Sequence, residues 1–262
     1  MRGLTVALVL LAVAPPCRAE GPGFVPGEGL TFDLSVGPIP AGRARMSVGL
    51  PEVRKGRRVA AMQGEAKSAE WLRLFARLDD TYKVVFDAAT LAPAKVSCVE
   101  QGIRERSIVA DLDGRRMVLD YASPKEAYRR ERLLPGPARD PVTALFALRA
   151  AALTDGEAIS MLVVDGFALY RAEGQVVGRE ALPRPEGSVA TVRIDIEARR
   201  IDDQGLWDGQ TVRRVKIWLS DDQRRIPYRL VGDTDLGPAQ VELTSYTAPA
   251  PKRPALRLAV RR

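Results

Sequence analysis

Apolar and polar residues alternate with a period of two through much of this chain, and that pattern restricts those stretches to half-buried strands. In "LTFDLSV", Leu30, Phe32, Leu34 and Val36 share one face, while Thr31, Asp33 and Ser35 share the other. The alternation recurs in "ARMSVGL", through Ala44, Met46, Val48 and Leu50. It recurs again in "VATVRIDIEARR", where Val192, Ile194 and Ile196 oppose Arg193, Asp195 and Glu197. Asp-Gly pairs at 113–114, 155–156, 165–166 and 208–209 read as tight turns between such segments. The spacing predicts about a dozen strands, mostly antiparallel.

Two segments change period. "SAEWLRLFARLDD" places Trp71, Leu74, Phe75 and Leu78 at helical spacing behind Ser68, which predicts a helix over 68–79. In "DPVTALFALRAAAL", Asp140 takes the N-cap and Pro141 the first helical position, with Val142, Leu145, Phe146 and Arg149 along one side, which predicts a helix over 140–152. The expected fold class is mainly β, a β-rich α+β arrangement: a large curved antiparallel sheet or partial barrel with one or two covering helices. The second helix separates an N-terminal half, 28–121, from a C-terminal half, 157–247, of a single exported domain spanning 20–247.

Export is read from the N-terminus. "LTVALVLLAVA" behind Arg2 has roughly the 7 to 15 apolar residues of a signal-peptide core and is too short to span a bilayer. Residues 1–19 are therefore expected to be a signal peptide, cut between Ala19 and Glu20, and the mature chain to be periplasmic or secreted. Pro16 before Cys17 argues against a lipid-modified cysteine. Cys98 is then the remaining cysteine, so no intramolecular disulfide can form. Flanked by Val96 and Val99, it reads as a small buried apolar residue.

The formal charge of +7 is located, not spread. Arg2 and Arg18 fall in the signal, and Lys252, Arg253, Arg257, Arg261 and Arg262 fall in the Pro-rich tail, 248–262, which accounts for the whole excess. A neutral body gives no footprint for nucleic acid. The basic, Pro-rich tail reads first as a solvated, extended segment, with peripheral contact to an anionic envelope surface as the alternative.

Absences narrow the chemistry. The chain contains no histidine, which removes Ser-His-Asp and Cys-His arrangements and HExxH zinc sites. No GxSxG elbow or SxxK pair occurs. The Gly-rich "GPGFVPGEG" at 21–29 follows no strand and opens no helix, so it reads as a leader. "DLDG" at 111–114 lacks the further ligands of a calcium loop. No catalytic residue, metal or cofactor is expected.

The most charged internal stretch is "KIWLSDDQRRIPYRL", 216–230. Val215, Ile217 and Leu219 alternate before "SDDQR", and Ile226, Tyr228 and Leu230 after it, so the stretch reads as a hairpin. Asp221 and Asp222 are expected to accept backbone N–H bonds, and Arg224 and Arg225 to pair with them. Pro227 predicts an edge position or a bulge. Trp218 falls on the nominally polar face, which calls for a cover or a binding surface.

The blocks "GEGLTFDLSVGPIPAGRARMSV" at 27–48, "DPVTALFALRAAAL" at 140–153, "YRAEGQVVGRE" at 170–180 and "IWLSDDQRRIPYRL" at 217–230 together resemble an exported bacterial family, domain of unknown function 3108. That resemblance implies an envelope protein with a mostly antiparallel β fold and carries over no catalytic residues. A looser similarity, at fold level alone, is to half-barrel carriers of lipoproteins or lipids. The leading expectation is a non-enzymatic envelope binding or assembly factor that holds an apolar or amphiphilic ligand, with Phe32, Trp71, Phe75, Phe146 and Trp218 as candidate lining residues. Its partner would be a lipid or an envelope protein. The alternatives are an interaction scaffold without a cavity, a carboxylate-dependent hydrolase and an outer-membrane barrel. N-terminal sequencing of the exported protein should begin at Glu20; a start at acylated Cys17 would contradict the cleavage reading.

Overall fold

The computed structural model describes residues 22–74, 77–102, 105–234 and 237–249. The signal segment, Cys17, Phe75 and the tail from 250 onward lie outside the described residues.

Nine strands precede the helix: β1 (Gly29–Val36), β2 (Ile39–Val48), β3 (Glu52–Arg54), β4 (Arg57–Ser68), β5 (Asp79–Asp87), β6 (Pro93–Glu100), β7 (Arg106–Asp113), β8 (Arg116–Ala122) and β9 (Ala127–Leu133). A short β10 (Ala138–Arg139) leads into α1 (Pro141–Ala150). Then follow β11 (Ala158–Asp165), β12 (Ala168–Arg184), β13 (Gly187–Ile201), β14 (Trp207–Ser220), β15 (Pro227–Thr234) and β16 (Gly237–Thr247). All sixteen join one sheet that runs from β10 through β16, on to β1, and out to β9, with β3 paired only to β4. Every pairing is antiparallel except β10 with β11. Because β16 pairs with β1, the halves before and after α1 form one continuous sheet.

The sheet rolls without closing. One edge strand, β9, is held to the β11–β12 turn by side chains: Tyr128, stacked on Tyr121 of β8 at 4.7 Å, lies 5.3 Å from Phe167. Arg132 also donates Nη1–H to the Phe167 carbonyl at 2.7 Å. The concave face carries the apolar half of each alternating strand. Val84, Phe86, Leu119 and Met117 gather with Phe24 and Phe146 in one cluster, and Val192, Ile194, Ile217 and Leu219 gather with Leu148 and Leu153 in another.

The helix at 140 forms as the sequence predicts, over Pro141–Ala150, and its cap is built twice over. Asp140 Oδ1 accepts from Val142 N at 3.0 Å, while Thr143 Oγ1 accepts from Asp140 N at 3.2 Å. The sheet grips both ends. At the N-terminus Tyr82 of β5 donates its hydroxyl to Asp140 Oδ1 at 2.9 Å. At the C-terminus Arg149 donates Nη1–H and Nη2–H to the two carboxylate oxygens of Glu28, at 2.7 and 2.9 Å, with both side chains fully buried. Arg149 Nη2 also donates to the Arg224 carbonyl at 3.1 Å. The leader approaches the helix so closely that a Cβ on Gly23 would lie 2.3 Å from the Phe146 carbonyl oxygen, and its φ of +74° also favours glycine.

Two expectations are corrected. Among its described residues the segment 68–79 forms a 3₁₀ turn, Glu70–Leu74, and no α-helix, and strand β5 has begun by Asp79. Ser68 ends β4 instead of capping a helix, and its Oγ accepts from Leu78 N at 3.1 Å, which pins the returning chain before an α-helix can propagate. Asp208-Gly209 is not a turn between strands but lies inside β14. The hairpin turn sits earlier, where Asp202 Oδ1 accepts from Gln204 N at 2.9 Å and Leu206 N at 2.8 Å.

Removing one partner of the buried Glu28–Arg149 pair strands a charge in the core. Glu28→Ala should therefore lower the free energy of unfolding by about 3 to 5 kcal/mol, and pairing Glu28→Leu with Arg149→Met should recover much of it. Urea unfolding of both variants measures this; a loss below about 1 kcal/mol for Glu28→Ala would contradict it.

Candidate functional site

Residues 221–226 connect β14 and β15 as the sequence predicts. Asp222 Oδ1 accepts from Arg224 N at 3.0 Å, Arg225 N at 3.2 Å and Ser220 Oγ at 2.7 Å. Its Oδ2 accepts from Arg224 Nη2 at 2.9 Å, and Asp221 pairs with Arg225 Nη1 at 2.9 Å. Partial burial works against the Asp222 charge, but the bonds from Ser220 and Arg224 outweigh it and hold the carboxyl below its ordinary value. Pro227 sits beside a bulge, opposite Leu219, on an interior strand. The turn borders a cleft of 650 Å³ whose other walls are Pro22–Val25 and the end of α1. Its charges are consumed by one another: Arg149 holds Glu28, Arg224 holds Asp222 and Arg225 holds Asp221. This end of the roll is closed by a structural knot.

Trp218 proves to be covered, though not by a helix. Strands β12 and β13 continue past a bulge at Gly178 as an arm, and Glu180 on that arm accepts the Trp218 indole N–H. Arg193 and Arg229 flank the ring at 5.6 and 5.9 Å. The other aromatic candidates do not converge on one space. Phe146 is fully buried against Phe24 and Phe86, with ring centroids 5.8 and 5.4 Å away. Phe32 packs with Leu30, Ile226 and Leu243, and Trp71 is half exposed on the 3₁₀ turn.

The opposite end of the roll is different in kind. Strand pairing places Tyr82 in register with Cys98, and one row further out it places Ala44 opposite Phe32 and Ala66, and Ala66 opposite Asp80. Beyond Tyr82 the concave face is polar on one wall, with Asp80 on β5, Glu100 on β6 and Arg106 on β7; Arg106 Nη2 donates to Glu100 Oε1 at 2.5 Å. On the facing wall Ala44, Met161, Ile196, Val215, Leu230 and Val241 pack against the buried clusters but are only partly buried. Asp165 and Arg213 complete the mouth. Arg213 lies over the Tyr170 ring at 5.9 Å, and Tyr170 pairs with Val163, two residues before Asp165 on β11.

The mouth leaves its mark on the ionisable groups. Asp165 is reached by solvent but hemmed in by protein, and this confinement raises its carboxyl above the ordinary value, with Arg213 and Arg106 opposing the rise. Asp80 is raised for the same reason, against a backbone bond from Gln101. Burial first, then Glu100 and Asp80, push the Cys98 thiol up to about 11. It is an inert thiol at neutral pH. Among the described residues no group of His, Cys, Asp and Glu is placed to hold a metal ion.

Sequence reasoning missed Glu28, Arg149, Asp165 and Arg213. The first two had a signal: an arginine on the apolar side of a helix, and a lone acid in a Gly-Pro leader. Asp165 and Arg213 had none, since each resembles an ordinary solvated strand residue.

An open, rolled antiparallel sheet plugged at one end by α1 defines a barrel-like β protein of the non-closed type. The sequence matches the family described as "Protein of unknown function (DUF3108)" over residues 31–244, and the chain belongs to that family. No curated protein matches it. Among solved structures, the chain is similar to a beta-barrel-like protein of domain of unknown function DUF1849 from Brucella abortus, with a TM-score of 0.56 and 14% identity over 85% of this chain and 98% of that one. That likeness shows a shared fold. Weaker likenesses are to a Parabacteroides distasonis protein assigned as a lipoprotein (TM-score 0.37, 10% identity, 88% of this chain and 99% of that one) and a Bacteroides fragilis protein assigned as exported, with a YmcC-like fold (0.39, 7%, 88% and 100%).

Asp222→Ala should cost about 1 kcal/mol at pH 7 while leaving the mouth intact. Because the folded carboxyl lies below the unfolded one, its contribution is present above the unfolded value of 3.8 and fades as pH falls through the folded value. Urea midpoints of Asp222→Asn and the parent should thus converge between pH 7 and pH 2; a constant gap would contradict the turn's charge-based role.

Proposed function

We propose that this protein is a non-enzymatic, exported binding protein of the bacterial envelope that takes an apolar or amphiphilic ligand into the open end of its rolled sheet. The observation that carries the reading is the incompletely buried apolar wall formed by Met161, Ile196, Val215 and Leu230. Strand faces of this composition ordinarily pack against another layer. Here α1, ten residues and so about 15 Å long, occupies the plugged end, whereas β13 alone has fifteen residues and extends about 50 Å. The single α-helix among the described residues is too short to cover both ends.

The aromatic residues expected to line a cavity are not what supports this reading. Small and aliphatic residues do, and they suit a flexible chain better than a flat aromatic ligand. The export signal expected from the sequence supports this reading, since free lipids and lipoproteins occur in the envelope.

A neutral apolar dye, N-phenyl-1-naphthylamine, should fluoresce on binding the mature protein, and monoacylglycerol should displace it. Ile196→Glu with Leu230→Glu should abolish dye binding by placing charges on the wall, while far-ultraviolet circular dichroism stays unchanged. A folded protein that binds neither dye nor monoacylglycerol would favour the interaction scaffold. Turnover of an aryl glycoside that Asp165→Asn abolishes would favour a carboxylate hydrolase.

A further inference from the structure

The mouth contains two opposite charges that no described residue pairs. Asp165 and Arg213 make no hydrogen bond and no ion pair with a described residue; Arg213 has only the Tyr170 ring beneath it. They are near enough for Arg213 to steady the Asp165 carboxylate, yet they do not close to an ion pair. Elsewhere on the roll neighbouring opposite charges do close, as Arg193 does on Asp195 at 2.7 Å and Arg229 on Glu242 at 2.5 Å. The strand register explains the gap. Arg213 pairs with Ala198, Ala198 with Ala172 and Ala172 with Met161, so Arg213 starts four residues from Asp165 along β11 and three strands away from it. The Tyr170 ring holds the guanidinium partway along that distance.

The surroundings fix the chemistry that would fill this gap. A purely anionic group brought to Arg213 would meet Asp165, Asp80 and Glu100 on the same mouth, and Glu100 already engages Arg106. A purely cationic group would leave the Arg213 guanidinium without a counter-charge. A group bearing both an anion and an ammonium satisfies both, and the apolar wall of Ile196, Val215 and Leu230 begins beside Arg213 on β13, β14 and β15. On these grounds we infer that the mouth is a head-group site for a zwitterionic amphiphile, with Arg213 receiving the phosphate or carboxylate, Asp165 receiving the ammonium, and the acyl chain lying along the apolar wall. The inference rests on the proposed ligand chamber and adds to it the class of ligand.

The test compares three single-chain amphiphiles of equal acyl length by displacement of N-phenyl-1-naphthylamine: lysophosphatidylethanolamine, lysophosphatidylglycerol and monoacylglycerol. The zwitterion should bind about tenfold more tightly than either of the others. Arg213→Met and Asp165→Asn should each erase that preference while the dye and monoacylglycerol bind as before. Equal affinities for all three, or a preference that survives both substitutions, would overturn the head-group site and leave the chamber standing. Tightest binding of lysophosphatidylglycerol would overturn the zwitterion in favour of an anion site. Failure of the dye and all three amphiphiles would remove the chamber, and the head-group site with it.

Discussion

The buried pair of Glu28 and Arg149 sets the layout of this molecule. A carboxylate and a guanidinium with no access to water survive only when each satisfies the other, so the pair fixes the leader, the end of α1 and the β14–β15 turn relative to one another. At its other end α1 is held by the bond from Tyr82 to Asp140. A ten-residue helix pinned at both ends cannot slide along the sheet. It plugs one end and leaves the other uncovered, and the difference between a packed end and an open one follows from that placement.

The two ends divide their charges accordingly. At the plugged end Arg149, Arg224 and Arg225 each hold a carboxylate, and the arm of β12–β13 covers Trp218 with Glu180 and two flanking arginines. At the open end Asp165 and Arg213 stay apart, and confinement raises the carboxyls of Asp80 and Asp165.

Much of the fold was legible in the sequence. Period-two patterning located the strands, Asp140-Pro141 marked the helix start, and the 221–226 turn follows from two acids and two arginines between alternating runs. The segment at 68–79 misled because four apolar residues at helical spacing say nothing about Ser68 Oγ capturing Leu78. Asp208-Gly209 misled because Asp202 had already made the turn six residues earlier. The mouth was hardly legible at all. Its wall consists of the same Ile, Val and Leu that fill any sheet core, and only the three-dimensional roll decides which of them are covered. Large aromatics drew attention as candidate lining, yet Phe146 is buried because large rings fill cores best, next to Phe24 and Phe86.

The most direct measurement of the central claim is a methyl-labelled nuclear magnetic resonance titration of the mature protein with N-phenyl-1-naphthylamine. The account predicts that the methyl groups of Met161, Ile196, Val215 and Leu230 shift together and saturably, while those of Leu119 and Leu134 in the plugged core stay where they are. Shifts confined to exposed outer residues such as Leu50, Val53 and Leu206, with the mouth unmoved, would contradict it.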